Sequence, residues 1–279
     1  MRLQTMPYDA SQLAFIRTGS GPPVVMIHGN PATHTLWRPL AERLAAARTV
    51  YAINLPGFGG SPAPATADQY TLRSLARLVL EFGTIQGFER FDLIGHSFGG
   101  AISITMADLF PDSVRSLVAI TPMTDRIPML ARLARVAPLE WMAGTLWNAA
   151  PSRLRREFAG RWAHVSYGKG YSPGRAAEVA MEADRKGLVR ALCGLVRETD
   201  YGSYGETLGR LGAAHRQPVL LVGAGEDSII PASHFEHLCG RFPRAERHIF
   251  PESGHVPMWQ HPDDLAPLIR RFWEKAGPV

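Results

Sequence analysis

The chain has 279 residues, of which 46% are hydrophobic and 20% are charged. This composition is typical of a globular protein and excludes a disordered or collagen-like chain. No apolar run reaches the roughly 18 residues of a membrane-spanning helix, and the N-terminal residues do not resemble a signal peptide. The two cysteines, Cys193 and Cys239, lie far apart in the sequence, so we expect no disulfide framework, no cysteine zinc site and a cytoplasmic protein.

The net charge of +5 is concentrated in one segment. Residues 126–216 contain 13 Arg and 2 Lys against 8 acidic residues, which leaves the rest of the chain slightly negative. This segment contains no helix-turn-helix, zinc-finger or aromatic RNA-binding pattern. We therefore expect no nucleic acid partner, although the positive potential would attract anionic ligands.

Short apolar runs alternate with amphipathic stretches of helical length, up to about residue 120 and again after residue 217. They predict strands at 13–17, 23–28, 50–54, 91–94, 114–120, 219–222 and 247–250, and helices at 33–47, 71–86, 99–110 and 262–275. Strands that alternate with helices indicate an α/β fold, a doubly wound and mostly parallel sheet with helices on both faces.

Residues 126–214 interrupt this alternation with helical periodicity and no strand signal. The predicted helices there are 129–136, 139–147, 153–162, 175–182 and 188–198. The sequence therefore predicts a core of residues 1–125 and 215–279, with an inserted all-helical cap at 126–214. Because ligands bind at the carboxyl ends of the strands in open parallel sheets, we expect the cap to cover that edge.

One segment places a serine between two glycines where a predicted strand meets a helix. It reads Phe91-Asp92-Leu93-Ile94-Gly95-His96-Ser97-Phe98-Gly99-Gly100. In a Gly-x-Ser-x-Gly turn the glycines let the chain bend without a Cβ collision, and the serine stands exposed to substrate in a strained conformation. Ser97 is therefore the candidate nucleophile.

A serine hydroxyl becomes a good nucleophile when a base takes its proton and a third group orients that base. In chains with this turn, the acid and then the histidine follow the serine. Asp227 and His255 each follow a predicted strand, so both should lie at the same sheet edge as Ser97. Asp125 also follows a predicted strand and is the alternative acid, whereas Glu226 stands one residue too early.

Acyl transfer also needs two N–H donors for the developing oxyanion. The main-chain N–H of Phe98, directly after the nucleophile, is one candidate. The other is the main-chain N–H of Asn30, in the loop His28-Gly29-Asn30-Pro31 that follows the strand at 23–28. We expect His28 to be a structural hydrogen-bonding residue of this loop.

Five motifs in this order resemble the α/β-hydrolase fold superfamily over residues 12–125 and 217–275. They are His28-Gly29-Asn30-Pro31, Leu55-Pro56-Gly57-Phe58-Gly59-Gly60-Ser61, Gly95-His96-Ser97-Phe98-Gly99-Gly100, Gly225-Glu226-Asp227 and Gly254-His255. The first of these loops, with Ala32-Thr33 and Leu36-Trp37-Arg38, is similar to that of haloalkane dehalogenases and epoxide hydrolases. Those relatives use an aspartate nucleophile, and a serine would form an ether that water does not cleave, so Ser97 argues against both activities.

The motifs and the resemblance together predict a serine hydrolase that cleaves a carboxylic ester or thioester and needs no metal or cofactor. A carbon–carbon bond hydrolase of a diketone-like substrate would use the same residues, and some members of this fold are small-molecule receptors. We expect Met123, Trp147 and Val256 to contact substrate. The partner should be a small-molecule ester, and the basic cap favours an anionic or carrier-bound one.

Overall fold

Eight strands form one sheet in the computed structural model, which describes residues 2–8, 11–126, 137–167, 179–180, 182–185 and 187–277. The strands are β1 (Leu3–Tyr8), β2 (Ser11–Thr18), β3 (Pro23–Ile27), β4 (Thr49–Ile53), β5 (Phe91–His96), β6 (Val114–Ile120), β7 (Val219–Ala224) and β8 (Glu246–Phe250). Their order is β1-β2-β4-β3-β5-β6-β7-β8. Every pair from β4 to β8 is parallel, and the pairs β1–β2 and β2–β4 are antiparallel. The predicted mostly parallel sheet is confirmed.

Helices cover both faces of this sheet. They are α1 (Arg38–Leu44), α2 (Leu72–Ile85), α3 (Phe98–Leu109), α4 (Ala137–Ala149), α5 (Ser152–Tyr167), α6 (Leu188–Arg197), α7 (Tyr201–Ala214), α8 (Ala232–Arg241), α9 (Pro257–Gln260) and α10 (Pro262–Lys275). The helix predicted at 33–47 is shorter, because a 3-10 turn at His34–Trp37 precedes α1 and Pro39 occupies the start of that helix. No helix in the described ranges has the length and apolar character needed to span a membrane.

The two faces of the sheet bury two separate apolar clusters. Along β3, Val25 and Ile27 join the cluster under α2 and α3, while Val24 and Met26 join the cluster under α1 and α10. This alternation follows from the two-residue period of a strand. Both faces are therefore covered, which leaves the ends of the strands as the places where a site can open to solvent.

The described helices after β6 are in contact with the core. Helix α4 packs against α6, and α7 packs against α3. Both α6, through Leu195, and α7, through Tyr204 and Leu208, bury side chains in the same cluster as the sheet. Helix α7 thus lies within the residues expected to form the cap but is continuous with the packing of the core. The predicted helix 129–136 and most of 175–182 lie outside the described residues.

Strand β1 was not predicted. It forms one edge of the sheet and pairs with β2 alone. Because an edge strand has a neighbour on one side only, its sequence shows a weak pattern of apolar residues. It also contains Pro7, a residue that removes a ladder hydrogen bond and is tolerated in edge strands.

Candidate active site

The turn between β5 and α3 holds Ser97 in a conformation that non-glycine residues rarely adopt. Its backbone angles are φ 52° and ψ −116°, and the residue is buried. A Cβ on Gly95 would lie 2.3 Å from the carbonyl oxygen of Gly99, and a Cβ on Gly99 would lie 2.1 Å from that of Ile27. Both positions therefore require glycine, which is the steric basis of the Gly-x-Ser-x-Gly pattern.

Asp227 and His255 meet at the same edge, after β7 and β8. His255 Nδ1 lies 2.7 Å from Asp227 Oδ2, and both side chains are buried. The other oxygen, Oδ1, accepts the main-chain N–H groups of Ile229 and Ile230, each at 2.8 Å. Because a carboxylate oxygen accepts hydrogen bonds, Nδ1 carries a proton and donates to Asp227, and Nε2 is the ring nitrogen that this pair does not use.

The alternative acid has a different partner. Asp125 Oδ2 accepts a hydrogen bond from Arg241 Nη2 at 2.7 Å, so its charge is balanced by a permanent cation. Glu226, adjacent to Asp227, is exposed to solvent. The structure therefore brings Asp227, and neither of these two carboxylates, to the imidazole of His255.

The loop after β3 approaches the serine closely. A Cβ on Gly29 would lie 2.8 Å from both Ser97 Cβ and His96 Nδ1, so a side chain at this position would displace the serine turn. His28 is fully buried, and its Nε2 accepts the main-chain N–H of Leu55 at 3.0 Å. This is the structural role that the sequence predicts for it.

The two expected oxyanion donors directly follow Ser97 and Gly29 in the sequence, the two residues that approach each other here. Phe98 is the first residue of α3, so its N–H has no carbonyl one turn earlier in the helix to bond with. Asn30 precedes a cis peptide bond to Pro31, and its side-chain Nδ2 donates to the carbonyl of Leu192 in α6 at 3.4 Å. The side chain of Asn30 thus contacts the helices after β6, while its main-chain N–H stays the proposed donor.

A small cavity of about 30 Å³ opens beside His255. Its lining includes Asn30, Leu36, His96, Val179, Ile229 and Val256. Val256 is one of the predicted substrate contacts. The sequence analysis does not name Ile229 as a site residue. Its position, an apolar residue two places after the predicted acid Asp227, is a signal from which it could have been predicted. The lining is mostly apolar, and the volume is that of about one or two water molecules, so the cavity marks an apolar surface beside the imidazole and does not define the size of a substrate.

The other two predicted substrate contacts, Met123 and Trp147, do not line this cavity. Met123 is buried next to the nucleophile, because its main-chain N–H donates to the carbonyl of Ser97 at 3.0 Å. Its own carbonyl accepts a hydrogen bond from the Tyr204 hydroxyl at 2.8 Å. Burial, and to a lesser degree the nearby charge of Asp125, raises the pKa of Tyr204, which keeps this hydroxyl a donor. Trp147 donates from Nε1 to the carbonyl of Ala183 at 3.1 Å. Contact of Met123 or Trp147 with substrate stays a prediction.

The basic segment contains internal ion pairs. Arg155 Nη2 lies 3.1 Å from Asp184 Oδ1, and Arg156 contacts the other oxygen of the same carboxylate. Desolvation acts to raise the pKa of Asp184, but the hydrogen bonds from Arg156 and Arg155 hold it below its ordinary value. Arg153 on the same helix is exposed. The charges of Arg155 and Arg156 are thus partly neutralised by Asp184.

Known proteins resemble this chain over nearly its whole length. A family model described as alpha/beta hydrolase fold matches residues 22–262. The chain is 28% identical over 276 residues to 2-hydroxymuconate semialdehyde hydrolase of Pseudomonas sp. (strain CF600), covering 93% of this chain and 89% of that one. It is 28% identical over 263 residues to pimeloyl-[acyl-carrier protein] methyl ester esterase of Chromobacterium violaceum, covering 93% and 98%. The solved structure of epoxide hydrolase CorEH superposes with a TM-score of 0.81 at 20% identity and 99% coverage of both chains. All three names denote hydrolases of different substrates.

Proposed function

The chain belongs to the alpha/beta hydrolase fold family, and we propose that it is a serine hydrolase that cleaves a carboxylic ester or thioester. The observation that carries this proposal is the 2.7 Å hydrogen bond between His255 and Asp227 at the sheet edge that also presents Ser97. A serine nucleophile, an imidazole base and a buried carboxylate are the three groups that acyl transfer requires.

In the proposed reaction, Ser97 Oγ attacks the carbonyl carbon of the substrate. His255 accepts the serine proton through Nε2, because its Nδ1 proton is held by Asp227. The carboxylate stabilises the imidazolium that forms. His255 then returns the proton to the leaving alcohol or thiol, and the acyl group remains on Ser97 as an ester.

The negative oxygen of the tetrahedral intermediate accepts hydrogen bonds from the main-chain N–H groups of Asn30 and Phe98. Such donors are fixed before the reaction, so they stabilise the oxyanion without reorganisation. Water then attacks the acyl-enzyme, with His255 again as the base, and releases the acid. Ser97 regains its proton in this second half.

The substrate of this reaction is an anionic or carrier-bound ester. The excess of basic residues in 126–216 supports this choice, because a concentrated positive potential raises the local concentration of anions. The methyl ester esterase relative, whose name includes an acyl-carrier protein, supports it independently. The exposed Arg153 is our candidate for this role on its helix, since Arg155 and Arg156 of the same helix contact Asp184.

Hydrolysis of a carbon–carbon bond is the second candidate function. The relative named 2-hydroxymuconate semialdehyde hydrolase favours it, because the compound in that name is a carbonyl compound and is not an ester. The same serine, histidine and aspartate would serve, so a substrate assay decides between the two reactions.

The test compares the wild type with Ser97→Ala on p-nitrophenyl esters of two to eight carbons and on a diketone-like compound. We expect ester turnover in the wild type and a loss of about 10⁴-fold to 10⁶-fold in Ser97→Ala. Ser20→Ala, an exposed serine at the opposite end of the sheet, is the matched control and should keep full activity. Turnover of the diketone alone favours the second candidate, and binding without turnover of either compound favours a receptor.

A further inference from the structure

The main-chain carbonyl of His255 accepts two side-chain hydrogen bonds. His96 Nε2 lies 2.8 Å from this oxygen, and Thr121 Oγ1 lies 3.0 Å from it. Because a carbonyl oxygen accepts only, both side chains donate, and His96 carries its proton on Nε2. All three residues are buried.

The local helix does not use this carbonyl. Helix α9 begins two residues later, and the carbonyl of Val256 accepts the N–H groups of Trp259 and Gln260 at 2.9 and 3.1 Å. A buried carbonyl without a donor is unfavourable, so the His255 oxygen has to be bonded by other elements. The two donors come from the ends of β5 and β6, which do not adjoin the histidine loop in sequence.

Thr121 is held in an unusual backbone conformation for this contact. Its φ is 40°, in the left-handed region, and among the described residues Ser97 is the other non-glycine residue with a positive φ. A β-branched residue is disfavoured there, so the surrounding structure must hold it in place. Its main-chain N–H donates to the carbonyl of Val222 at 2.7 Å. Strain of this kind concentrates at functional sites.

We propose that His96 and Thr121 are positioning residues that fix His255 relative to Ser97, and we name this pair the carbonyl clamp. The inference rests on the proposed serine hydrolase function. His96 immediately precedes Ser97, so its ring joins the strand of the nucleophile directly to the main chain of the base. The rings of His96 and His255 are 4.7 Å apart between centroids.

With the clamp in place, both the imidazole and the main chain of His255 are fixed by hydrogen bonds. Asp227 bonds to its Nδ1, and the clamp bonds to its main-chain oxygen. One hydrogen bond thus comes from the end of β5 and one each from the segments that follow β6 and β7, three neighbouring strands of the sheet. Small errors in the position of a catalytic base reduce the rate strongly, whereas they have little effect on substrate binding. The clamp should therefore act on kcat and not on KM.

The experiment uses paired substitutions. Thr121→Val removes the hydroxyl donor while keeping the branched shape, and Thr121→Ser restores the donor. His96→Phe removes the ring donor, and His96→Gln restores a donor near the position of Nε2. The matched control is Thr49→Val, because Thr49 is also buried and its hydroxyl donates to the carbonyl of Gly21 at 2.7 Å, at the opposite end of the sheet.

We expect Thr121→Val and His96→Phe each to lower kcat by about tenfold to 100-fold at unchanged KM. The rate of fluorophosphonate labelling should fall in parallel, and Thr121→Ser and His96→Gln should recover most of both rates. Thr49→Val should change the unfolding temperature without changing kcat. Wild-type kcat in both Thr121→Val and His96→Phe would overturn the clamp, as would losses that the conservative variants do not repair.

A readout that does not require turnover separates this inference from the proposed function. We expect the proton between His255 Nδ1 and Asp227 Oδ2 to give a downfield signal in proton NMR. We expect Thr121→Val to shift or broaden this signal and Thr49→Val to leave it unchanged. If the wild type neither hydrolyses esters nor reacts with the probe, the proposed function fails, and an unchanged signal in Thr121→Val would then overturn the clamp as well.

Discussion

Two buried aspartates lie at opposite ends of the sheet and have different partners. Asp92, near the start of β5, contacts Arg48, Arg115 and Ser116, and its side chain has no exposed surface. Asp227, after β7, has a side chain of which 1% is exposed, and it bonds to His255. The two carboxylates are equally buried but differ in the kind of group that faces them.

The partner decides what each carboxylate can do. Arginine remains protonated at every accessible pH, so the cluster around Asp92 is a fixed set of charges. Trp273 of α10 donates to Ser116 Oγ at 3.1 Å and lies under the Arg48 guanidinium at 4.3 Å, which ties the last helix to this cluster. At the other end the carboxylate faces an imidazole, a group that serves as general acid and base in enzymes, so we propose proton transfer for this pair. We therefore expect substitutions at the Asp92 end to lower stability and substitutions at the Asp227 end to lower activity.

The largest expected effect is on kcat, and it distinguishes the Asp227 end of the sheet from the Asp92 end. Asp227→Asn should lower kcat by about 10⁴-fold, because an amide favours the wrong tautomer of His255. The unfolding temperature should change little, since the amide keeps a similar shape. Steady-state kinetics and thermal unfolding of the same sample measure both quantities.

Asp125→Asn is the matched control for that substitution. Asp125 is paired with Arg241, so its loss should affect stability slightly and leave kcat near the wild-type value. A greater loss of kcat in Asp125→Asn than in Asp227→Asn would transfer the role of the acid to the end of β6.

Asp92→Asn should have the opposite profile. Removing one charge from a buried cluster leaves Arg48 and Arg115 without their counter-ion, which costs about 3–5 kcal/mol of unfolding free energy. Urea unfolding measures this loss, and kcat of the folded fraction at low temperature should stay unchanged. A stable variant with a large loss of kcat would contradict the division between the two ends.

Two glycines, Gly29 after β3 and Gly19 after β2, lie at opposite ends of the sheet and allow the same comparison with a smaller expected effect. Gly29→Ala would press against Ser97 and His96 and should lower kcat by about 100-fold. Gly19, at the other end, has φ +78°, and its added Cβ would lie 2.3 Å from the carbonyl oxygen of Arg48. Gly19→Ala should therefore lower stability by about 2–4 kcal/mol and spare kcat. Equal effects of the two variants on kcat would argue against the comparison.

The smallest expected effect concerns the charge of residues 126–216. If the site takes anionic esters, kcat/KM for an anionic ester should fall about threefold or more between about 20 and 500 mM salt, relative to a matched neutral ester. Arg153→Gln should reduce that difference. Equal and flat salt dependence for both esters would show that these arginines are solvated surface residues.

The sequence predicts those parts of the molecule that depend on local patterns. The elbow at Ser97 combines a buried strand, two obligatory glycines and a helix within ten residues, and the structure has all three. Strand β1 was missed because an edge strand needs no strong apolar pattern. The clamp residues His96 and Thr121 were also missed, since their contacts with His255 span 159 and 134 positions and depend on how three strand ends meet.

Fluorophosphonate labelling tests the central claim, that Ser97 is a nucleophile activated by His255, most directly. We expect intact-mass analysis to find one adduct on the wild type, peptide mapping to place it on Ser97, and His255→Gln to slow its formation strongly. Labelling that persists in Ser97→Ala, or that reaches another serine in the wild type, would contradict the account.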